Sequence, residues 1–162
     1  MIVGIDGGKP PKLVFAWRET AERWNTDGAP PAHVFSLAAA EKPEGVIRKG
    51  RTPASIVSPA GWGMAALFAV QAELRLWIPV NDWKNKLFPG RANVKKEIFC
   101  ANIVQLLRLE GLDPKDGHDQ DQIDAIGIAE AASRLTPKEL KSYAVSFRTD
   151  PRTVAIRARE RR

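Results

Sequence analysis

His118, Asp119, Asp121 and Asp124 crowd one short stretch of this chain. Ile123, Ile126, Gly127, Ala131 and Leu135 recur there at helical spacing, so the stretch reads as the first turns of a helix. A helix N-terminus favours negative charge, and an ordinary acidic cap would account for these residues without any chemistry. Asp121 and Asp124, however, lie three apart and leave the helix on one face. Two further acids stand where apolar runs end: Asp6 before Gly7-Gly8, and Glu41 before Lys42-Pro43. If those runs are neighbouring strands and the helix crosses their edge, four carboxylates meet. Four such groups cannot all ionise together without protonation or counter-charge. Oxygen-only donors select Mg²⁺ or Mn²⁺. A pair of such ions, roughly 3.5–4 Å apart, supports phosphodiester hydrolysis.

The elements that must position these acids follow from pattern. Residues 1–6 read as a buried strand closed by an acid and a glycine turn. Residues 12–17 and 23–25 read as the next two strands of an antiparallel meander, with turns at Lys9-Pro10-Pro11 and Asn25-Thr26-Asp27-Gly28. Residues 33–40 form a strand ahead of Glu41, and Pro43 stops its ladder. A mobile polar loop is expected over residues 44–51. Thr52-Pro53 then opens a helix that reaches about residue 73, with a break at Pro59-Ala60-Gly61. Residues 74–80 are a strand, and Asp82-Trp83-Lys84 opens a turn or short helix ended by Pro89-Gly90-Arg91. Asn93 starts an amphipathic helix with Ile98, Cys100, Ile103, Leu106 and Leu107 inward. A loop at residues 113–117 precedes the acidic helix, and a short helix is expected at residues 137–143. Strands first and helices later, with one strand between, specify a mixed α/β sheet.

The chain has 162 residues, 44% of them hydrophobic and 27% charged, which suits one folded domain with a real core. Its single cysteine, Cys100, excludes an internal disulfide and suits a reducing cytoplasm; it reads as a small buried hydrophobe. No signal peptide or membrane span is legible. From Thr136 onward eight Lys/Arg stand against three acids, so that segment carries +5 of the net +6. The expected organisation is a domain over residues 1–135 and a basic tail over 136–162, too poor in apolar residues at its end to pack. A near-neutral body with a basic tail points to an anionic partner, nucleic acid first.

Specific motifs sharpen this. Gly4-Ile5-Asp6-Gly7-Gly8 closes the first strand, and Glu41-Lys42-Pro43 closes the acid-bearing fourth. Pro79-Val80-Asn81-Asp82-Trp83-Lys84 follows the fifth, and Gly90-Arg91-Ala92-Asn93-Val94-Lys95 brings a second lysine to a helix start. Asp121-x-x-Asp124-Ala125 opens the late helix. In this order the motifs, spanning residues 1–132, resemble the RuvC-like Holliday junction resolvases of the ribonuclease H-like superfamily, more closely their phage-encoded members. The resemblance implies a ribonuclease H-like fold: a five-stranded mixed sheet, three antiparallel strands then two parallel ones, flanked by helices. It implies a Mg²⁺-dependent endonuclease (Mn²⁺ serving also) that resolves four-way DNA junctions in recombination and repair, in a bacterial or phage-infected cell. Asp6, Glu41, Asp121 and Asp124 would hold two ions, Lys84 and Lys95 would lie near the scissile phosphate, and a homodimer would make paired cuts. No membrane partner or organic cofactor is implied.

Other residues have competing readings. Asp119 rivals Asp121 as the partner of Asp124, and Asp116 is more remote. Arg48, Lys49 and Arg51 form a basic loop suited to a DNA backbone, and Lys96 adds to the charge at Lys95. His118 reads as polar surface, Trp62 and Trp83 as core, and Glu73 and Glu130 as exposed helical acids. Two rival functions remain: a nuclease of this fold with another branched or hybrid substrate, and a non-catalytic nucleic-acid-binding module. Gly4-Ile5-Asp6-Gly7-Gly8 also resembles the phosphate loop of actin-like ATPases and sugar kinases, but those need two domains to enclose a nucleotide.

Overall fold

Strand β1 (Ile2–Asp6) pairs antiparallel with β2 (Val14–Arg18) on one side and parallel with β4 (Phe35–Lys42) on the other. The short β3 (Trp24–Asn25) and the longer β5 (Ala72–Pro79) complete a five-stranded mixed sheet of order β3-β2-β1-β4-β5. The first three strands are antiparallel, and β4 and β5 continue parallel to β1. This is the ribonuclease H-like arrangement expected from the sequence. The computed structural model describes residues 1–7, 13–18, 23–26, 28–32, 34–42 and 53–145, the side chains of 53–60 excepted. The basic loop with Arg48, Lys49 and Arg51, Pro43, the Thr52 cap and the end of the basic tail lie outside the described residues.

Alternation along β1 divides the core. Val3 and Ile5 face helix α1 (Pro53–Ala69), packing with Ala38, Ala40, Ala66 and Leu67. Gly4 and Asp6 have the opposite parity and face helix α4 (Gly117–Ser133). A Cβ on Gly4 would collide with the Ala125 carbonyl oxygen, and would stand 2.9 Å from the Ala129 Cβ. The missing side chain therefore sets how closely α4 lies on the strand. Gly127 does the same on the other flank, where a Cβ would stand 2.9 Å from Ile103 and 3.0 Å from Trp83. Helix α4 is covered on every side, with all residues from Gln122 to Ala132 buried. Around it pack α2 (Val80–Leu87) and α3 (Lys96–Leu107).

Several expectations are corrected here. Helix α1 runs unbroken through Pro59-Ala60-Gly61 and ends at Ala69, because Ala72 and Glu73 are taken into β5 beside β4. Glu73 is exposed, as expected, but on a strand. Helix α3 starts at Lys96, and its inward face is Phe99, Cys100 and Ile103; Ile98 and Leu106 are 51% and 41% exposed. Trp83 is core, whereas Trp62 is 42% exposed. Glu130 is buried, held by Arg134 at 2.8 Å and Arg18 at 3.6 Å.

The last described helix, α5 (Pro137–Tyr143), begins with a Thr136/Glu139 capping box. It docks through Lys86–Glu139 at 2.8 Å and a hydrogen bond from the Tyr143 hydroxyl to Asp82. Val145 then donates to the Arg75 carbonyl on the outer edge of β5.

Candidate metal centre

Parallel pairing of β1 with β4 aligns Ile5 with Ala40, so Asp6 and Glu41 are the next residues on adjacent strands, at their carboxyl ends. Crevices outside the carboxyl ends of parallel strands are where α/β sheets bind their ligands. Glu41 is fixed from both sides of β5. The Trp77 indole donates to its carbonyl and the Trp83 indole to its carboxylate, each at 2.9 Å. Trp83 reaches it because α2 begins directly after β5, with Pro79 as its cap residue. Gly63 of α1 brings its backbone to the same edge, where a Cβ would lie 3.5 Å from Gly7 and 3.9 Å from the Glu41 carbonyl oxygen.

Helix α4 supplies the other two acids. Its cap is Asp116, whose carboxylate accepts from the amides of His118 and Asp119. Asp119 turns away and accepts from the Asp113 amide at 2.7 Å. Asp121 and Asp124 share one ammonium instead: Lys96 lies 2.9 Å from the first and 3.2 Å from the second. Gln122 between them accepts from Thr26 and contacts the His118 ring, tying the start of α4 to the turn after β3.

The electrostatics join both pairs of acids. Burial raises the Asp6 carboxyl well above the usual range, and the charges of Asp124, Glu41 and Asp121 raise it further. Burial likewise raises Glu41, with the Trp83 hydrogen bond opposing and Asp124 adding to the rise. Asp124 is raised by burial against the pull of Lys96 and Lys84. Lys96 loses some solvation, but Asp124 and Asp121 outweigh that and hold its ammonium charged. The Cys100 thiol lies beneath Asp124 at 3.8 Å, and burial and that carboxylate push it to about 12, so it stays protonated.

Among the sequence candidates, Asp6, Glu41, Asp121 and Asp124 thus fall at one edge, with Asp116 and Asp119 engaged in local loop bonds. Lys84 lies over the rings of Trp83 and Phe99, close enough to act on Glu41 and Asp124. Lys95 is the exposed cap residue of α3, while Lys96 carries the ion pairs. A lysine pair at a helix start signals a basic residue there, but which one turns inward depends on a helix phase the sequence leaves open.

The donor set fits hard divalent cations in kind: oxygens only, in excess negative charge. As the side chains stand, no three Asp, Glu, His or Cys groups among the described residues converge closely enough to hold a metal ion. A cavity of about 520 Å³ lined by Arg23, Trp24, Arg108 and Glu110 lies elsewhere, along β3. Among the described residues no helix is long and apolar enough to cross a membrane.

Comparison with solved structures agrees with this fold. The chain is similar to Thermus thermophilus RuvC at 15% identity, with a TM-score of 0.50 over 88% of this chain and 97% of that one. It is also similar to T. thermophilus RuvC in complex with a Holliday junction substrate, at 15% identity and a TM-score of 0.51 over 88% and 96%. No protein-family model and no curated protein matches the sequence.

Proposed function

We propose that this protein is a divalent-metal-dependent endonuclease that resolves four-way DNA junctions. The observation that carries the reading is that Asp6 and Glu41 end adjacent strands side by side while α4 brings Asp124 and Asp121, bridged by Lys96, near enough for their charges to raise the Asp6 carboxyl. Nothing in stability calls for such a cluster, since repulsion and burial both oppose it. The likeness to a RuvC captured with a Holliday junction supports branched DNA as that substrate.

In this reading Asp6, Glu41, Asp121 and Asp124 hold two Mg²⁺ or Mn²⁺ ions. Bound there, the ions supply charge neutralisation and water activation for phosphodiester hydrolysis. Glu41 is kept in place by Trp83, and Asp124 by the close seating of α4 on Gly4. Lys84, held over two aromatic faces beside the acids, offsets phosphate charge at the cleft mouth. Lys95, exposed at the α3 start, and the loop residues Arg48, Lys49 and Arg51 bind the backbone of a DNA arm. A phage-type assignment and a homodimer placing two such sites on one junction complete the proposal.

One observation favours a second reading, a binding module without cleavage: Lys96 already satisfies Asp121 and Asp124. Labelled four-way junctions, linear duplexes, flaps and RNA–DNA hybrids, incubated with Mg²⁺ or with EDTA, separate the two. Paired metal-dependent nicks confined to the junction are expected. Junction binding without cutting under any divalent metal would leave the module, and preferential cutting of flaps or hybrid would move the substrate.

A further inference from the structure

Lys96 is the first residue of α3, where the helix dipole disfavours a cation. Its ammonium nevertheless turns to the acids, 2.9 Å from Asp121 and 3.2 Å from Asp124, in a site that also holds Asp6, Glu41 and Lys84. One monovalent charge there answers four carboxylates only in part. It occupies one oxygen of each carboxylate, and a dication entering among the same carboxylates would repel the ammonium at these distances. The Lys96 side chain is 45% exposed, so its flexible stem has a way out to solvent.

We propose that Lys96 is a built-in counter-ion that holds the acids of the metal-free protein and must be displaced for a divalent cation to enter. The inference rests on the metal-binding reading above and adds to it a competition between a side chain and the metal. Displaced, the ammonium moves to the mouth of the cleft, where an anionic backbone would meet it. Neighbouring Lys95 has no such role in metal uptake.

The test is calorimetric titration of the DNA-free protein with Mn²⁺, comparing wild type, Lys96→Met and Lys95→Met. Lys96→Met is expected to bind Mn²⁺ roughly tenfold more tightly, since the competing charge is gone. Lys95→Met, which removes the same charge from an exposed position, is expected to stay within about twofold of wild type. Equal or weaker binding by Lys96→Met overturns the displacement alone. Failure of every form to take up Mn²⁺ overturns the metal-binding reading with it. A second readout needs no variant: amine acylation of wild type, mapped by mass spectrometry, is expected to be slow at Lys96 and several-fold faster with Mn²⁺. No change in Lys96 reactivity on metal uptake would contradict the proposal.

Discussion

Three buried carboxyls at one strand edge make a prediction about the metal-free protein. Asp6, Glu41 and Asp124 are raised above the usual range, burial being the first cause in each. A carboxyl raised in the folded state contributes stability below its unfolded value and loses it as pH climbs through the folded one. The cluster is therefore expected to weaken the metal-free fold progressively as pH rises from about 4 toward neutrality. Asp6→Asn removes one charge and keeps the shape, so at pH ~8 in EDTA it should gain on the order of 1 kcal/mol, or about 2–4 °C in Tm. A lower Tm for the variant than for wild type would contradict the cluster as described. The placement of Asp6 and Glu41 at neighbouring strand ends was legible in the sequence because each acid closes an apolar run. Which of Lys95 and Lys96 turns toward the acids was not, because a shift of one residue in where α3 begins exchanges them.

At the scale of elements, the cleft depends on how closely α4 approaches β1. Gly4→Ala would drive a methyl into the Ala125 carbonyl and cannot be relieved by a side-chain rotation. A loss of about 3 kcal/mol or more is expected, with Mn²⁺ uptake impaired in whatever remains folded, measured by denaturant unfolding and calorimetry. A neutral Gly4→Ala would mean that α4 is not seated as described. Helix α1 offers a different probe, because Trp62 is exposed beside Gly63, whose backbone reaches the acid edge. Trp62→Ala should leave Tm within about 1 °C and weaken binding to a junction by about 1–3 kcal/mol if the ring stacks on an unpaired base. Unchanged junction affinity would leave Trp62 without a part in recognition. The order of elements was readable from alternation, glycine turns and helical spacing. The limits of α1 and the inward face of α3 were not. The end of α1 is set by strand pairing of Ala72 with Phe35, and the face of α3 by its packing on α4.

Taken whole, the molecule is a sheet with α1 on one face and α2, α3 and α4 on the other, and its acids gather where β1 and β4 end. That gathering is a long-range property: Asp6 and Glu41 meet through strand order, and Asp124 joins them across the sheet through a helix far along the chain. Sequence order alone brought the four acids into one hypothesis, and the parallel register of β1 and β4 brings two of them side by side. The net charge of +6 is compatible with a DNA partner, and most of it stands after Thr136. The most direct test of the central claim measures binding and cleavage of one labelled four-way junction, side by side, by wild type and Asp6→Asn in Mg²⁺. Comparable binding by both proteins is expected, with paired nicks from wild type and at least about a hundredfold less cleavage by the variant. Equal cleavage by the two, or junction binding by wild type with no cleavage in Mg²⁺ or Mn²⁺, would contradict it.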